Sequence, residues 1–143
     1  MKTVLITQAA WDAERMFGPM LPKLAQKLEV IRNPSERPLT AEEVIAICRR
    51  QPVDVIVTGW GGVRLTPAII DAAPKLELIA VFGGAVSPYA PEYAMNRGIR
   101  YCHCPKAMGY CVAEFTVGLM LSLGYEIGYF DRLIRYWLRS DPP

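Results

Sequence analysis

Short apolar runs alternate along this chain with longer segments whose apolar residues recur every three or four positions. The runs predict β-strands, and the segments between them predict helices. Such an alternation is typical of a parallel sheet covered by helices. The chain therefore contains five predicted strands, at residues 3–7, 28–32, 53–58, 76–82 and 99–104.

Proline, glycine and capping residues indicate where the helices start and end. After the first strand, Pro19 and Pro22 interrupt a helical stretch, which is either two pieces or one short helix that starts at Pro22. Thr40 and Glu43 have the spacing of a capping box, which predicts a helix start between the second and third strands. Gly98 is predicted to end a later helix in the left-handed conformation.

The order of these elements limits the fold. Five strands with four crossovers predict a small doubly wound α/β sheet, with a flavodoxin-like order as the expected arrangement. This part of the chain, residues 1–107, is predicted to form one domain. Residues 108–143 are predicted to be a separate interdomain-type segment.

The last segment has a different pattern from the rest. Its apolar residues recur at helical spacing, which predicts one long amphipathic helix over residues 110–138 with a weak point at Gly124 or Gly128. A stripe of apolar residues along such a helix needs a surface that covers it. We expect self-association, or docking on another chain, through helix 110–138.

Composition and charge exclude several partners. The chain has 143 residues, 52% of them hydrophobic, and a formal net charge of +2 with its arginines dispersed, so nucleic acid is not an expected partner. The N-terminal apolar run is too short for a signal sequence. The apolar stretch 115–125 is shorter than the roughly 20 residues that span a bilayer, so no membrane association is expected. We expect a cytoplasmic protein with reduced cysteines.

A glycine-rich sequence follows the third predicted strand. Gly59 and Gly61 match the first two glycines of the dinucleotide fingerprint G-x-G-x-x-G, but Arg64 occupies the third position. No cofactor-binding residue is therefore assigned in this chain. Trp60, between these two glycines, is predicted to line a pocket.

A second glycine pair, Gly83 and Gly84, follows the fourth predicted strand and precedes Ala85. Ligands of open α/β sheets bind outside the carboxyl ends of the strands, where glycine lets the backbone present N–H groups to an anion. The alternative interpretation is that both glycine clusters form tight turns that need a positive φ.

Metal and acid–base chemistry find little support in the sequence. On a strand, Cys102 and Cys104 lie on one face and His103 on the other, so these residues and Cys111 do not converge on a metal. We assign no metal site. His103 is the only histidine, and no carboxylate follows it until Glu114, so a hydrogen-bonded structural role is expected and no catalytic residue is assigned.

Several of these segments together resemble the D-isomer-specific 2-hydroxyacid dehydrogenases. The resemblance covers roughly residues 53–137. Its parts are the strand before Gly59, the helix and Ala-Ala-Pro-Lys-Leu sequence at 66–76, the Arg-Gly-Ile sequence at 97–99 and the Val-Ala-Glu sequence at 112–114. The Gly83 loop stands where the family has G-x-G-x-D, with Ala85 and Ser87 as departures. His103 stands where many members have asparagine.

The resemblance implies a function for the two glycine loops. Backbone N–H groups around Gly83, Gly84 and Ala85 are expected to hold the carboxylate of a small 2-hydroxy or 2-oxo acid, and the loop Gly59-Trp60-Gly61 is expected to line the same cleft. NAD or NADP is the cofactor implied by the family. The family's cofactor fold and its catalytic arginine, acidic residue and histidine lie downstream of the matching region, so this chain alone is expected to bind no cofactor.

Three hypotheses follow. The first is the substrate-binding domain of an NAD-dependent D-2-hydroxyacid dehydrogenase, truncated before the NAD-binding domain and inactive alone. The second is a standalone carboxylate-binding module without redox activity. The third is an interaction protein that docks its long helix on a relative. The first is favoured, while the particular acid and the choice between NAD and NADP stay open.

Overall fold

A computed structural model describes residues 1–139 of the chain. It separates into two compact parts: the sheet unit, Met1–Pro105, and the helical unit, which begins at Lys106. Each is described by itself. The proposed division of the protein into a substrate-binding domain, 1–107, and the start of a cofactor domain, 108–143, stays a prediction.

The sheet unit contains one parallel sheet of five strands in the order β2-β1-β3-β4-β5. Neighbouring strands pair in parallel register, for example Leu5 with Ile56 and Ile56 with Ile79. This is the flavodoxin-like arrangement that the sequence predicted. The strands are β1 Lys2–Ile6, β2 Leu28–Arg32, β3 Val55–Gly59, β4 Leu78–Phe82 and β5 Arg100–His103.

Helices connect these strands and lie on both faces of the sheet. The stretch after β1 is two helices, which confirms one of the two predicted alternatives. The first of them, over residues 10–17, is the piece before Pro19 and turns Ala13 toward the sheet. The helices of the sheet unit are α1 Ala10–Phe17, α2 Leu21–Ala25, α3 Ala41–Arg50, α4 Pro67–Ala72 and α5 Pro91–Asn96, with a 3₁₀ turn at Ser87–Tyr89.

The core forms on both faces of this sheet. The larger cluster joins inward-facing strand residues such as Leu5, Ile56 and Ile79, all 0% exposed, to the buried residues of α3, α4 and α5. The smaller cluster packs Val4 and Ile6 against α1 and α2. The apolar runs are strands because a central parallel strand buries both of its faces.

Helix α3 begins as predicted. The Thr40 hydroxyl accepts a hydrogen bond from the backbone N–H of Glu43, and the Glu43 carboxylate accepts one from the backbone N–H of Thr40 at 2.8 Å. Arg37 donates twice to the same carboxylate. These hydrogen bonds, first that from Arg37 and then that from the backbone, lower the pKa of Glu43 from 4.5 to about 2.

The helical unit contains the long C-terminal helix, but in two pieces. Helix α6 spans Pro105–Gly124 and helix α7 spans Ile127–Arg139. The interruption comes directly after Gly124, a predicted weak point, and Glu126 adopts the left-handed conformation with φ 51°. The helix predicted over 110–138 is therefore divided at one of its two predicted weak points, because a residue with a positive φ cannot continue a right-handed helix.

The two helices also differ in how their polar residues are placed. Lys106 and Glu114 are the only charged residues of α6, so its apolar surface is not confined to one stripe. Helix α7 is strongly amphipathic, with its arginines and Asp131 on one side. Neither helix has a buried residue within the described part of the chain.

Helix α6 bears on the predicted absence of a membrane. With 20 residues and a mean hydropathy of 1.4 over its most apolar window, it is long and apolar enough to cross a bilayer. The length argument made from residues 115–125 alone therefore fails, because the helix starts ten residues earlier. One such helix is weak support for a membrane span, and the expected absence of a membrane partner stays a prediction.

Candidate functional site: two glycine loops at the strand ends

The loop after β3 contacts the end of β4 through its backbone. Gly59 has φ 143°, and a Cβ atom at this position would lie 2.2 Å from the carbonyl oxygen of Phe82. That same oxygen accepts a hydrogen bond from the backbone N–H of Trp60 at 3.3 Å. Only glycine fits such an approach. The loop therefore starts in direct contact with the end of β4, next to the second glycine loop.

Two buried threonines hold this loop from below. The Thr58 hydroxyl donates to the carbonyl oxygen of Val63 at 2.7 Å, and the Thr7 hydroxyl donates to that of Val57 at 3.1 Å. Both side chains are 0% exposed. Their oxygens lie 2.8 and 2.9 Å from the position of a Cβ atom on Gly62, so the loop rests directly on them. The conformation of the loop after β3 thus depends on residues at the carboxyl ends of β1 and β3, where the strand order of the sheet reverses.

The side chain of Trp60 links the two glycine loops. It is 60% exposed, which is unusual for a large apolar side chain. Its indole Nε1 and Cδ1 lie 3.7 and 3.9 Å from the position of a Cβ atom on Gly83. The structure therefore places the predicted residues of both loops side by side, with the indole ring at the backbone of the second loop.

The loop after β4 is fixed to the end of β5. Gly83 has φ 155°, and its carbonyl oxygen accepts a hydrogen bond from the backbone N–H of Cys104 at 3.2 Å. The carbonyl oxygen of Gly84 lies 3.0 Å from Nδ1 of His103. Within residues 1–139 the backbone N–H groups of Gly84 and Ala85 have no acceptor. Adjacent N–H groups of this kind are suited to bind the oxygens of an anion.

Gly84 differs from the other glycines of the site. Its φ is not in the left-handed region, and a Cβ atom on it would meet nothing within 4 Å. Neither backbone conformation nor packing therefore requires glycine at this position. The space beside Gly84 is open, and a ligand can approach the backbone there.

His103 and the neighbouring cysteines point in different directions. His103 reaches Gly84, as the expected structural role requires, whereas Cys102 and Cys104 line an apolar pocket of about 120 Å³ next to Phe82. This matches the alternation predicted for a strand. Within residues 1–139 no three metal-ligating side chains converge, and the absence of a metal stays a prediction.

An unusual residue that follows β1 was not predicted from the sequence. Gln8 is 0% exposed, and neither its side-chain oxygen nor its nitrogen has a hydrogen-bond partner among the described residues. An unpaired buried amide costs about 1–3 kcal/mol, so such residues are uncommon. Only the folded structure shows that this polar side chain is enclosed.

A cleft of about 550 Å³ lies elsewhere, between α3 and α4. Residues such as Cys48 and Asp71 line it, and none of the loop glycines does. Its lining residues belong to α3, α4 and the turn after α4, whereas the glycine loops lie at the carboxyl ends of the strands, where ligands of open α/β sheets bind. We therefore place the candidate site at the loops.

A dinucleotide does not fit the residues of the described chain. Its pyrophosphate needs a glycine-rich turn that leads from a strand directly into a helix N-terminus. After Gly62, helix α4 starts only at Pro67, and helix α1 follows β1 with the buried Gln8 in place of glycine. We derive no cofactor step through these residues.

The fold is an open α/β domain with two glycine loops at the carboxyl ends of β3 and β4, and comparison with known proteins identifies the family. Over residues 7–134 the chain matches the family described as D-isomer specific 2-hydroxyacid dehydrogenase, catalytic domain. The chain belongs to this family. The predicted resemblance is confirmed.

Individual relatives agree with this assignment. A glyoxylate reductase of Thermofilum pendens is 35% identical over 72 residues, which are 50% of this chain and 21% of that protein. The D-mandelate dehydrogenase of Rhodotorula graminis matches 99% of the chain and 41% of its own, with a TM-score of 0.73 and 19% identity. The D-lactate dehydrogenase of Aquifex aeolicus, solved with NAD and lactic acid, matches 99% of this chain and 39% of its own. Its TM-score is 0.67 and its sequence identity is 18%.

These matches differ in what they establish. The two structural matches are below 25% identity and show the fold alone. The chain spans about a fifth of the length of the glyoxylate reductase and about two fifths of the two solved structures. What those whole proteins do therefore reaches this chain only as a proposal.

Proposed function

We propose that the chain supplies the substrate-binding part of an NAD- or NADP-dependent D-2-hydroxyacid dehydrogenase. It binds the carboxylate of a small 2-hydroxy or 2-oxo acid at the N–H groups of Gly84 and Ala85. The observation that carries this proposal is the pair of unpaired N–H groups beside open space. Family membership supports the same assignment.

The loop after β3 completes the proposed site. Trp60 lies over Gly83, so its ring bounds one side of the ligand and its indole N–H is a third donor near the carboxylate. An exposed indole gives an apolar wall to the acid's short carbon chain. Shape and donors together favour a small acid over a larger anion.

The 143 residues are proposed to have no redox turnover by themselves. Their strand-to-helix turns do not fit a dinucleotide, and His103 is the only imidazole of the chain. Hydride transfer therefore needs groups that this sequence does not supply. A cytoplasmic location is part of the same proposal.

The test is a comparison of three measurements on the purified chain. Pyruvate, as a 2-oxo acid, is titrated and followed by tryptophan fluorescence, NADH is titrated by its own fluorescence, and NADH oxidation is followed with both present. We expect pyruvate binding without NADH binding or oxidation. Oxidation of NADH would contradict the proposed inactivity, and absence of pyruvate binding would contradict the proposed site. If a Trp60→Phe variant binds pyruvate with an unchanged dissociation constant, Trp60 is not part of the proposed site.

We propose in addition that the helical unit associates with a second copy of the chain. Trp137 is 70% exposed, Leu138 81% and Phe130 52%, and no residue of either helix is buried. Large exposed apolar surfaces, such as those of these two helices, mark association sites in soluble proteins. Docking on a different, related chain is the alternative occupant.

A matched pair of tryptophans tests this association. Trp137→Ala removes a 70% exposed ring from α7, and Trp11→Ala removes a 61% exposed ring from α1 of the sheet unit. Light scattering after size-exclusion chromatography should show an assembly that Trp137→Ala weakens and Trp11→Ala leaves unchanged. A wild-type chain that is monomeric at all concentrations would contradict self-association.

A further inference from the structure

The end of β5 holds two consecutive carbonyl groups of the loop after β4. The carbonyl oxygen of Gly83 accepts from the backbone N–H of Cys104 at 3.2 Å, and that of Gly84 lies 3.0 Å from Nδ1 of His103. A carbonyl oxygen can only accept a hydrogen bond. The hydrogen must therefore be on Nδ1 of the imidazole.

The geometry of the peptide bond, together with these two hydrogen bonds, determines where the N–H groups of Gly84 and Ala85 point. The peptide bonds of residues 1–139 are all trans, so each carbonyl points opposite to the N–H of the following residue. Because the carbonyl groups of Gly83 and Gly84 are bonded toward β5, the N–H groups of Gly84 and Ala85 point away from it. Neither of these two N–H groups has an acceptor within residues 1–139.

We infer that His103 is a positioning residue for the carboxylate site, an inference that rests on the proposed function of the Gly84–Ala85 loop. Its Nδ1–H fixes the carbonyl of Gly84 and so aims the N–H of Ala85 at the ligand. The bond from Cys104 does the same for the N–H of Gly84 through the backbone. Of these two contacts, only that of His103 is made by a side chain, so a substitution can remove it.

The role depends on one ring nitrogen, so the choice of substitution can test it. The side-chain nitrogen of asparagine, Nδ2, takes the place of the histidine Nδ1. The side-chain nitrogen of glutamine lies one bond further out, in the place of Nε2. His103→Asn therefore keeps a donor for Gly84, whereas His103→Gln and His103→Ala remove it from that position.

Pyruvate binding measures the consequence. We expect His103→Asn to keep the wild-type dissociation constant within about twofold, and His103→Gln and His103→Ala to raise it about five- to tenfold, as loss of one hydrogen bond predicts. The amide ¹⁵N and ¹H shifts of Gly84 and Ala85 should move in the two weakened variants only. Equal melting temperatures of all four proteins exclude a folding defect as the cause.

The tautomer of His103 is a second readout that needs no ligand. Because the chain has one histidine, its imidazole ¹⁵N spectrum contains a single ring. The inference predicts the Nδ1–H form in the neutral ring, and a predominant Nε2–H form would overturn it.

The two proposals fail in different ways. If the wild-type chain does not bind pyruvate, the proposed function fails and the role of His103 fails with it. If pyruvate binds and all three substitutions leave the dissociation constant unchanged, the site stands and only the role of His103 is overturned.

Discussion

The sheet unit and the helical unit use their apolar residues in opposite ways. In the sheet unit, strand residues such as Leu5 and Ile56 are 0% exposed and pack into clusters on both faces of the sheet. In the helical unit none of the residues 106–139 is buried, and large side chains such as Leu123 and Leu138 are 79% and 81% exposed. The fold of the first unit explains its own apolar residues, whereas the apolar residues of the second are left exposed.

The contrast extends to polar groups. The sheet unit satisfies them locally, since Thr40 caps α3 and Asp54 accepts from the backbone N–H of Thr3 at 2.7 Å. Gln8 and the N–H groups of Gly84 and Ala85 are among the polar groups of this unit that have no partner within residues 1–139. The helical unit has the exposed ion pair of Asp131 with Arg135. The enclosed amide of Gln8 is the unusual case, because buried side-chain polar atoms are nearly always paired.

The largest effect should come from one leucine in each unit. Leu5 is 0% exposed and Leu123 is 79% exposed. Leu5→Ala is expected to lower the free energy of unfolding by about 2–5 kcal/mol through a cavity in the core. Leu123→Ala is expected to change it by less than about 0.5 kcal/mol. Urea unfolding followed by circular dichroism measures both, and equal losses would show that Leu123 is covered.

Thiol reactivity should separate the same regions. Burial raises the pKa of Cys48 to about 11, whereas Cys102, Cys104 and Cys111 are exposed. Because this pKa is about two higher than the ordinary value of 9.0, Cys48 at pH 8 has about a hundredfold less thiolate than a thiol with the ordinary pKa. Labelling with a chromogenic disulfide should therefore show three fast thiols and one slow one. Four equally fast thiols would contradict the packing of α3.

A smaller effect is expected at the start of α3. Thr40→Ala removes the hydroxyl that accepts from the N–H of Glu43, and loss of such a cap costs about 1 kcal/mol. Thr40→Ser keeps the hydroxyl and serves as the matched control. Thermal unfolding should show a lower melting temperature for the alanine variant only. Equal melting temperatures of the two variants would show that the capping box does not stabilise the unit.

The smallest effect should be the pH dependence of that same capping box. The pKa of Glu43 is lowered to about 2, so its stabilising contribution is present above pH 4.5 and is lost as pH falls toward 2. Glu43→Gln should be less stable than the wild type at pH 6, and the difference should vanish by about pH 2. Asp131→Asn, in the ion pair of the helical unit, should leave the unfolding of the sheet unit unchanged at every pH. A constant difference for Glu43→Gln would contradict the lowered pKa.

Most of the fold was predictable because its signals are local. β2 lies at the predicted residues 28–32, and the capping box at Thr40 and the left-handed Gly98 are confirmed. The strand order followed from the handedness of the crossovers. The prolines after β1 left the choice between two helices and one open, and the break after Gly124 left no signal beyond the glycine itself.

The candidate site was predictable only as far as its residues. Glycines after β3 and β4 could be named from the sequence, and the structure places Trp60 beside Gly83. Two features could not be predicted from the sequence: the hydrogen bond from His103 to Gly84 and the burial of the Gln8 side chain. Each depends on where strands that are distant in sequence end. Sequence spacing carries no information on such contacts.

The most direct test of the account is a titration of the ¹⁵N-labelled chain with pyruvate, followed by its amide NMR spectrum. The account predicts shifts centred on Gly84 and Ala85. It also predicts that Gly84→Ala abolishes them with no loss of melting temperature, because its methyl group fills open space. Gly118→Ala in α6, where a Cβ atom likewise meets nothing within 4 Å, is the control that should bind as the wild type does. Pyruvate shifts that avoid the Gly84 loop, or that persist in Gly84→Ala, would contradict the account.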